Sequence, residues 1–425
     1  MAQTYKFGKD GTWATKKGST LAYSDTNNAF KPLPFNFTRN SIATRVNKEG
    51  LIEVVGNDIP RIDYTDSTEG ALLLENSSTN LITYSEAFDN AYWTKSGSNV
   101  TSGFISPDGT ANAFKLVEST GNSAHTITSS AGVTTSLATT TKSIFVKPNG
   151  RRWILLLDIY KPSSRAWFDL ELGVVGSKQS SAISSNIEKL SNGYFRCSVT
   201  SAVNGTSSQL RMDIVLDNNS TSGYQGDGTS GVYIYGAQLE IGNASSYIPT
   251  NGSTVQRAAE TCNDSGNSEV FNSEQGVLFA NIAALSDDSS YKTLSLNDNS
   301  ASDRIQISIN SNNIYIGVID GGSTQVFDSV SVTDATNFNK VVVSYKVNDC
   351  NLWINGFKVF TDTNASMPSG LSKINFDKGD GGDDFYGKTK EIAYYDTALT
   401  DAELETLTSY RSLNEMVTEL NLNAL

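Results

Sequence analysis

Histidine is almost missing from this chain of 425 residues, with His125 the single example. A His-rich metal site and a Ser–His catalytic pair therefore have almost no raw material and are not expected. Cysteine is scarce as well. Cys197, Cys262 and Cys350 lie far apart, are odd in number and include no CxxC pair. Zinc ribbons and thiol redox motifs are excluded, and a disulfide framework is not expected. Positive charge is short: 32 Lys and Arg against 45 Asp and Glu leave a net charge of −13, which argues against a nucleic-acid or anionic-membrane partner. Long apolar runs are lacking too. The longest, Trp153-Ile154-Leu155-Leu156-Leu157, falls far short of a membrane span. The stretch Met1-Ala2-Gln3-Thr4-Tyr5-Lys6 has no apolar core of the signal-peptide kind, so synthesis and folding in a reducing cytosol are expected.

What is present is Gly, Ser, Thr and Asn in quantity, with 18 Tyr and 18 Phe, while charged residues make up only 18%. β-branched and aromatic residues set among polar turn formers point to an all-β protein, and the aromatics speak against disorder. The length allows two or three domains. Strands are expected at 143–147, 153–159, 165–170, 194–199, 209–216 and 232–240, separated by turns such as Lys147-Pro148-Asn149-Gly150. In Arg165-Ala166-Trp167-Phe168-Asp169-Leu170, alternate residues take one face. Short strands at this spacing, with no helical pattern between them, predict a sandwich or jelly roll. A second series covers 276–282, 304–309, 314–319, 340–347, 351–354 and 357–360. Asn355-Gly356 between two apolar strands is a strong hairpin signal, because both residues tolerate the positive φ of a type I′ turn, and Asn312-Asn313 is a weaker one. Thr400 with Glu403 predicts a capping box that opens a helix, and Leu413, Met416, Val417 and Leu420 predict a second apolar stripe.

A resemblance enters at the stretch from Arg39 to Trp93. The series Ala43-Thr44-Arg45…Gly50-Leu51-Ile52-Glu53, then Pro60-Arg61-Ile62-Asp63-Tyr64, Gly70-Ala71-Leu72-Leu73-Leu74-Glu75, Thr79-Asn80-Leu81 and Tyr84-Ser85-Glu86 resembles a module of bacteriophage virion proteins. These are fibre, tail or head-appendage proteins that carry carbohydrate-binding β-domains. The segment 231–240 followed by Ser246-Tyr247-Ile248-Pro249-Thr250 resembles the closing strand of their jelly rolls, with Lys115-Leu116-Val117 as an early strand. The meander 341–360, with its Leu352-Trp353-Ile354-Asn355-Gly356 centre, resembles laminin-G-like or concanavalin A-like lectin sandwiches, as does Gly387–Asp396.

The resulting expectation is an N-terminal arm and virion-docking connector at 1–94, a jelly-roll carbohydrate-binding domain at 95–250, a linker at 251–267, a concanavalin A-like domain at 268–412 and a helical tail at 413–425. Residues 1–38 are read as an arm, and 256–260 as one helical turn. The resemblance implies localisation on the virion, contacts with other virion proteins through the N-terminal region, host-surface glycans as ligands and a homo-oligomer. It leaves tail and head positions open, and a purely structural appendage and a glycan depolymerase stand as alternatives.

Sugars stack their C–H faces on flat rings while Asn, Asp and Gln meet the hydroxyls. Trp93, Tyr160, Trp167 and Tyr224, close to Asn- and Asp-rich turns, are the candidate glycan contacts, with core packing as the competing reading for each. The loop Asp377-Lys378-Gly379-Asp380-Gly381-Gly382-Asp383-Asp384 gathers oxygen ligands of the kind calcium prefers, so Asp377, Asp380, Asp383 and Asp384 are the candidate metal ligands, although the spacing is not that of an EF-hand. The alternative is an acidic solvated loop. The strand carboxylates Asp158, Asp169, Glu171 and Asp213 show no spacing that marks a catalytic pair, and a Glu-x-Asp-x-x-Glu signature is absent, so the chain reads as a non-enzyme.

Overall fold

The computed structural model describes residues 3–130, 132–135, 138–202, 206–220, 223–420 and 422. The chain is all-β, as its composition predicts, with two short helices, Asp401–Thr408 and Leu413–Glu419, among the described residues. It divides into two compact units, and neither is contiguous. Unit 1 holds residues 1–40, 56–76 and 259–425; unit 2 holds 41–55 and 77–258.

This division replaces the boundaries expected from the sequence. Residues 1–38 are not a free arm: Tyr5–Phe7 pairs antiparallel with Gly387–Tyr395 on one side and Ala22–Ser24 on the other. Tyr5, Phe7, Phe35 and Phe37 lie in the core of unit 1. Ala71–Leu74 pairs with the same Gly387–Tyr395 strand and carries Arg61–Asp63 at its edge. The expected linker is also structured. Val255–Arg257 pairs with Ser78–Asn80 in unit 2, and Thr261–Asn263 pairs with Phe35–Thr38 in unit 1. The helical turn expected at 256–260 is replaced by strand pairing at Val255–Arg257 and irregular chain at 258–260.

Unit 1 is a sandwich. One sheet has ten strands and is centred on Gln275–Ala284, Asn339–Lys346 and Gly387–Tyr395; the other orders Ser323–Ser331, Asn313–Asp320, Arg304–Asn310, Lys292–Asn297 and Lys373–Asn375. Alternation sends Leu278, Ala280, Val341 and Val343 from the first sheet, and Leu294, Leu296, Ile305, Ile307 and Ile316 from the second, into one shared core. Asn355 at φ 50° and Gly356 at φ 90° form the expected type I′ turn, while the neighbouring hairpin turns one residue earlier than expected, at Ser311 and Asn312. Helix Asp401–Thr408 opens with the Thr400–Glu403 capping box and lays Leu404 over Phe279, Val342 and Trp353 on the outer face of the larger sheet. Helix Leu413–Glu419 has no buried residue and is held by ion pairs, Lys340 to Glu415 at 2.6 Å and Lys390 to Glu419 at 2.5 Å.

The charged residues of the signature stretch meet inside unit 1. Arg39 Nη1 lies 2.7 Å from Glu260 Oε1, Arg61 Nε donates to the same oxygen at 2.9 Å, and Arg61 Nη2 reaches Glu75 at 2.7 Å. Arg39 also donates to the carbonyls of Ile59 and Gly56 at 3.0 and 2.6 Å. Arg39, Arg61 and Glu260 are buried, so two guanidiniums and two carboxylates neutralise each other out of water. Burial works against the Arg61 charge, but Glu260 and Glu75 outweigh it and hold its pKa above the ordinary value.

Unit 2 is a second antiparallel sandwich. One sheet orders Ser98–Phe104, Ala113–Glu118, Gly231–Ile241, Thr140–Asn149, Phe195–Ser201 and Ala182–Lys189; the facing sheet orders Thr94–Ser96, Asn122–Thr128, Leu210–Val215, Trp153–Asp158, Lys161–Asp169 and Val174–Lys178. Gly231–Ile241 pairs with Ala113–Glu118, which contains the expected early strand Lys115-Leu116-Val117. Ile144, Ile154, Leu156, Phe168, Met212 and Ile234 fill the space between the sheets. The hairpin Ala43–Val46 with Ile52–Val55 covers the outer face of the first sheet, where Ile52 joins Phe145, Tyr194, Tyr235 and Tyr247.

Candidate functional site

The four candidate glycan contacts do not come together. Trp93 is buried between Phe88 and Tyr92 with its indole N–H on the Tyr84 carbonyl at 2.8 Å. Trp167 is buried and donates to the Ser220 carbonyl at 2.9 Å. Tyr224 is buried, and its hydroxyl donates to Glu118 Oε2 at 2.6 Å. These three rings serve the core, because each fills apolar space and finds its one polar partner inside the fold. Tyr160 alone is open, at 54% exposure.

The acidic loop does not assemble a cation site. Asp377 is turned inward, accepting from Asn263 Nδ2 at 2.7 Å and from the Gly379 N–H at 2.5 Å. Asp384 accepts from the Tyr386 hydroxyl at 3.0 Å, while Asp380 and Asp383 each lie 3.9 Å from Lys378. Among the described residues, no three His, Cys, Asp or Glu side chains are grouped to hold a metal ion. The strand carboxylates are engaged one by one as well: Asp158 with Lys142, Asp169 with Arg152 and Asp213 with Arg211. Two glycine spacings of nucleotide-binding type, Gly226-x-Gly228-x-x-Gly231 and Gly382-x-x-x-x-Gly387-Lys388-Thr389, both run into β-strands at Gly231–Ile241 and Gly387–Tyr395. Neither has the helix N-terminus that would cradle a phosphate.

The structure instead assembles polar and aromatic groups on the outer face of the five-stranded sheet of unit 1. Because Leu294, Leu296, Ile305, Ile307, Ile314 and Ile316 point into the core, their neighbours point out. Register aligns these neighbours in rows: Asn297 beside Arg304; Asn375, Ser295, Gln306, Gly317 and Phe327; and Thr293, Ser308 and Tyr315. Most of this face is hydroxyl and amide, and it is internally bonded. Asn297 Nδ2 donates to Ser295 Oγ at 2.8 Å, Gln306 Nε2 to Ser308 Oγ at 3.1 Å, and Ser295 Oγ to the Asp377 carbonyl at 2.6 Å. Gly317 matters because a Cβ there would lie 2.5 Å from Gln306 Cγ, so its bare backbone lets the amide lie flat across the sheet.

Three rings stand along one edge. Tyr315 lies 5.3 Å from Tyr291 and 5.4 Å from Phe327, centroid to centroid. Phe327 is 46% and Tyr291 36% exposed, an unusual degree of exposure for rings that touch each other. Arg304 lies on the same face, donating from Nε to Gln306 Oε1 at 2.5 Å and from Nη1 to the Ala301 carbonyl. Partial burial lowers its pKa from the ordinary guanidinium value, with the charges of Asp380 and Asp383 opposing the shift. The acidic loop borders this face, with the Thr293 N–H donating to the Asp383 carbonyl at 2.9 Å. The loop that sequence reading singles out for a metal thus forms one wall of a face that the same reading does not foresee.

Tyr291 and Phe327 are the rings of this face that open to solvent, while its hydroxyls and amides are buried and bonded to one another; the fold that carries them is an antiparallel β-sandwich. No protein-family model and no curated protein matches the chain. Solved structures similar to it include the Ruminococcus gnavus IT-sialidase CBM40 bound to α2,3-sialyllactose, at 15% identity and a TM-score of 0.30, covering 34% of this chain and 92% of that one. The NanB sialidase of Streptococcus pneumoniae is similar at 18% identity and a TM-score of 0.30, over 34% of this chain and 26% of that one. The SAP-like pentraxin of Limulus polyphemus is similar at 15% and 0.27, over 33% and 72%. At such identities and scores the likeness carries no weight for function.

Proposed function

We propose that this chain is a non-enzymatic glycan-binding protein displayed on a bacteriophage particle as part of a fibre or appendage. The observation that carries the glycan reading is the Tyr291–Tyr315–Phe327 cluster on the outer face of the five-stranded sheet, where the Tyr291 and Phe327 rings are exposed. Ring faces take the C–H side of a sugar, and the buried, internally bonded amides and hydroxyls beneath hold the rings in place. The virion setting rests on the resemblance of the 39–93 stretch, with host-cell glycans and other virion proteins as partners, synthesis in the host bacterial cytoplasm and assembly as a homo-oligomer. Repetition of the chain on a particle would turn weak single contacts into firm attachment.

Screening the full chain against a glycan array, then measuring the best glycan by calorimetry, tests the reading. Tyr315→Ala and Phe327→Ala are each expected to weaken binding about tenfold, the equivalent of ~1.4 kcal/mol, without lowering the unfolding temperature. Absence of any bound glycan transfers the protein to a purely structural role in the particle, and release of reducing ends from host polysaccharide makes it a depolymerase. Immunogold labelling of intact particles tests the virion assignment separately.

A further inference from the structure

At the end of unit 2 where Trp153–Asp158 turns into Lys161–Asp169, the interior is polar. Asp158 stands opposite Lys161 in the hairpin register. Asp158 Oδ2 lies 2.6 Å from Lys142 Nζ, and both side chains are fully buried. Lys142 Nζ also donates to Thr140 Oγ1 at 2.7 Å and to Ser201 Oγ at 2.6 Å, which uses all three of its hydrogens. The carboxylate is equally occupied, accepting from Ser208 Oγ at 2.5 Å and from the N–H groups of Tyr160 and Gln209 at 3.0 and 3.1 Å. Ser164 Oγ closes onto Ser201 Oγ at 2.6 Å.

That arrangement leaves nothing for Lys161. Its side chain is buried, with the residue 2% exposed, and its Nζ has no hydrogen-bond partner among the described residues. Thr135 is in the same position: it is fully buried and its Oγ1 has no partner among those residues. Thr135 belongs to the same end of the sandwich, because the preceding Val133–Thr134 pairs with Ser207–Ser208, and Ser208 bonds to Asp158. Two ammoniums and one carboxylate leave one positive charge uncompensated in a water-poor interior, a state that folded proteins avoid by pairing. Burial, with the Lys161 charge acting alongside it, pulls the Lys142 pKa down to about 8, as expected of an excess of positive charge there.

We infer that this end of unit 2 binds a compact monovalent anion of halide size, held by Lys161 Nζ. One negative charge brings the cluster to neutrality and satisfies the orphaned ammonium. The probe is bromide. Crystals of the full chain soaked in sodium bromide are expected to show an anomalous difference peak within hydrogen-bonding reach of Lys161 Nζ. In solution, replacing sodium gluconate by sodium bromide at constant ionic strength is expected to raise the unfolding temperature of the full chain saturably, by about 3 °C at tenfold excess over the dissociation constant. Lys161→Met is expected to abolish that rise and to unfold no lower than the wild type in gluconate, since it removes an unpaired charge. A map with no peak at Lys161, a rise that does not saturate, or an equal rise in Lys161→Met overturns the inference; the map on wild-type protein decides the matter if the variant does not fold.

Discussion

Glu260 shows how much a single carboxylate carries in this molecule. It pairs with Arg39 and Arg61 at once and also accepts the Glu75 backbone N–H at 2.9 Å, all out of contact with water. Glu260→Gln keeps the shape and removes the charge, leaving one guanidinium of the pair buried without compensation. A loss of roughly 3–5 kcal/mol is expected, measured by urea unfolding of the full chain. A loss under about 1 kcal/mol would show that the knot is hydrated and works as an exposed pair. The same knot explains why the signature stretch reads as functional from sequence. Arg39, Arg61 and Glu75 look like isolated charges in a strand-poor connector, yet their partner lies at position 260, in what reads as a linker. Nothing local in the sequence signals a pairing between residues 221 and 199 positions apart. Trp93, Trp167 and Tyr224 mislead for a related reason. A ring beside Asn and Asp looks like a sugar platform, but the N–H or O–H of each is satisfied inside the fold.

At the scale of elements, alternation and turn chemistry are legible wherever the strands are apolar. Strands Asn339–Lys346, Cys350–Ile354 and Phe357–Asp362 stand where Val, Trp, Ile and the Asn355-Gly356 turn place them. Some strands facing the polar sheet surface are not legible. Lys292–Asn297 alternates Leu with Thr, Ser and Asn, and Ser323–Ser331 is mostly polar, so neither stands out from the surrounding loops. Phe327 lies on one of these strands and Tyr291 borders the other; Arg304, Gln306 and Tyr315 lie on the legible strands 304–309 and 314–319, but escape because the sheet that pairs them is not itself legible. The one signal available is Tyr315, an aromatic two residues before a glycine inside an otherwise apolar strand. Gly317 ties the face together, and Gly317→Ala makes the sharper test of it. The added methyl must push Gln306 aside, breaking its bonds to Arg304 and Ser308, at a cost of about 1 kcal/mol to the fold. Glycan capture on the array is expected to fall while the protein remains folded by circular dichroism; unchanged capture would move the binding surface elsewhere.

At the scale of the whole molecule, the chain crosses between its two units four times, at about residues 40, 55, 76 and 258. A cut at residue 268, natural on the sequence reading, removes Tyr5–Phe7 and Ala71–Leu74, both paired to Gly387–Tyr395, and strips Phe7 and Phe35 from the core. A 268–412 fragment is therefore expected to be insoluble or rapidly digested by trypsin, whereas the full chain resists. A stable, soluble fragment with native β signal would mean that the N-terminal strands are accessory.

The pairing of Tyr5–Phe7 with Gly387–Tyr395 also sets the order of events on the ribosome. Tyr5–Phe7 has no neighbour on that side until residues 387–395 are made, so unit 1 closes late, while residues 77–258 have had time to collapse in between. A bulky fusion at the front of the chain would meet the molecule at its slowest and most vulnerable step.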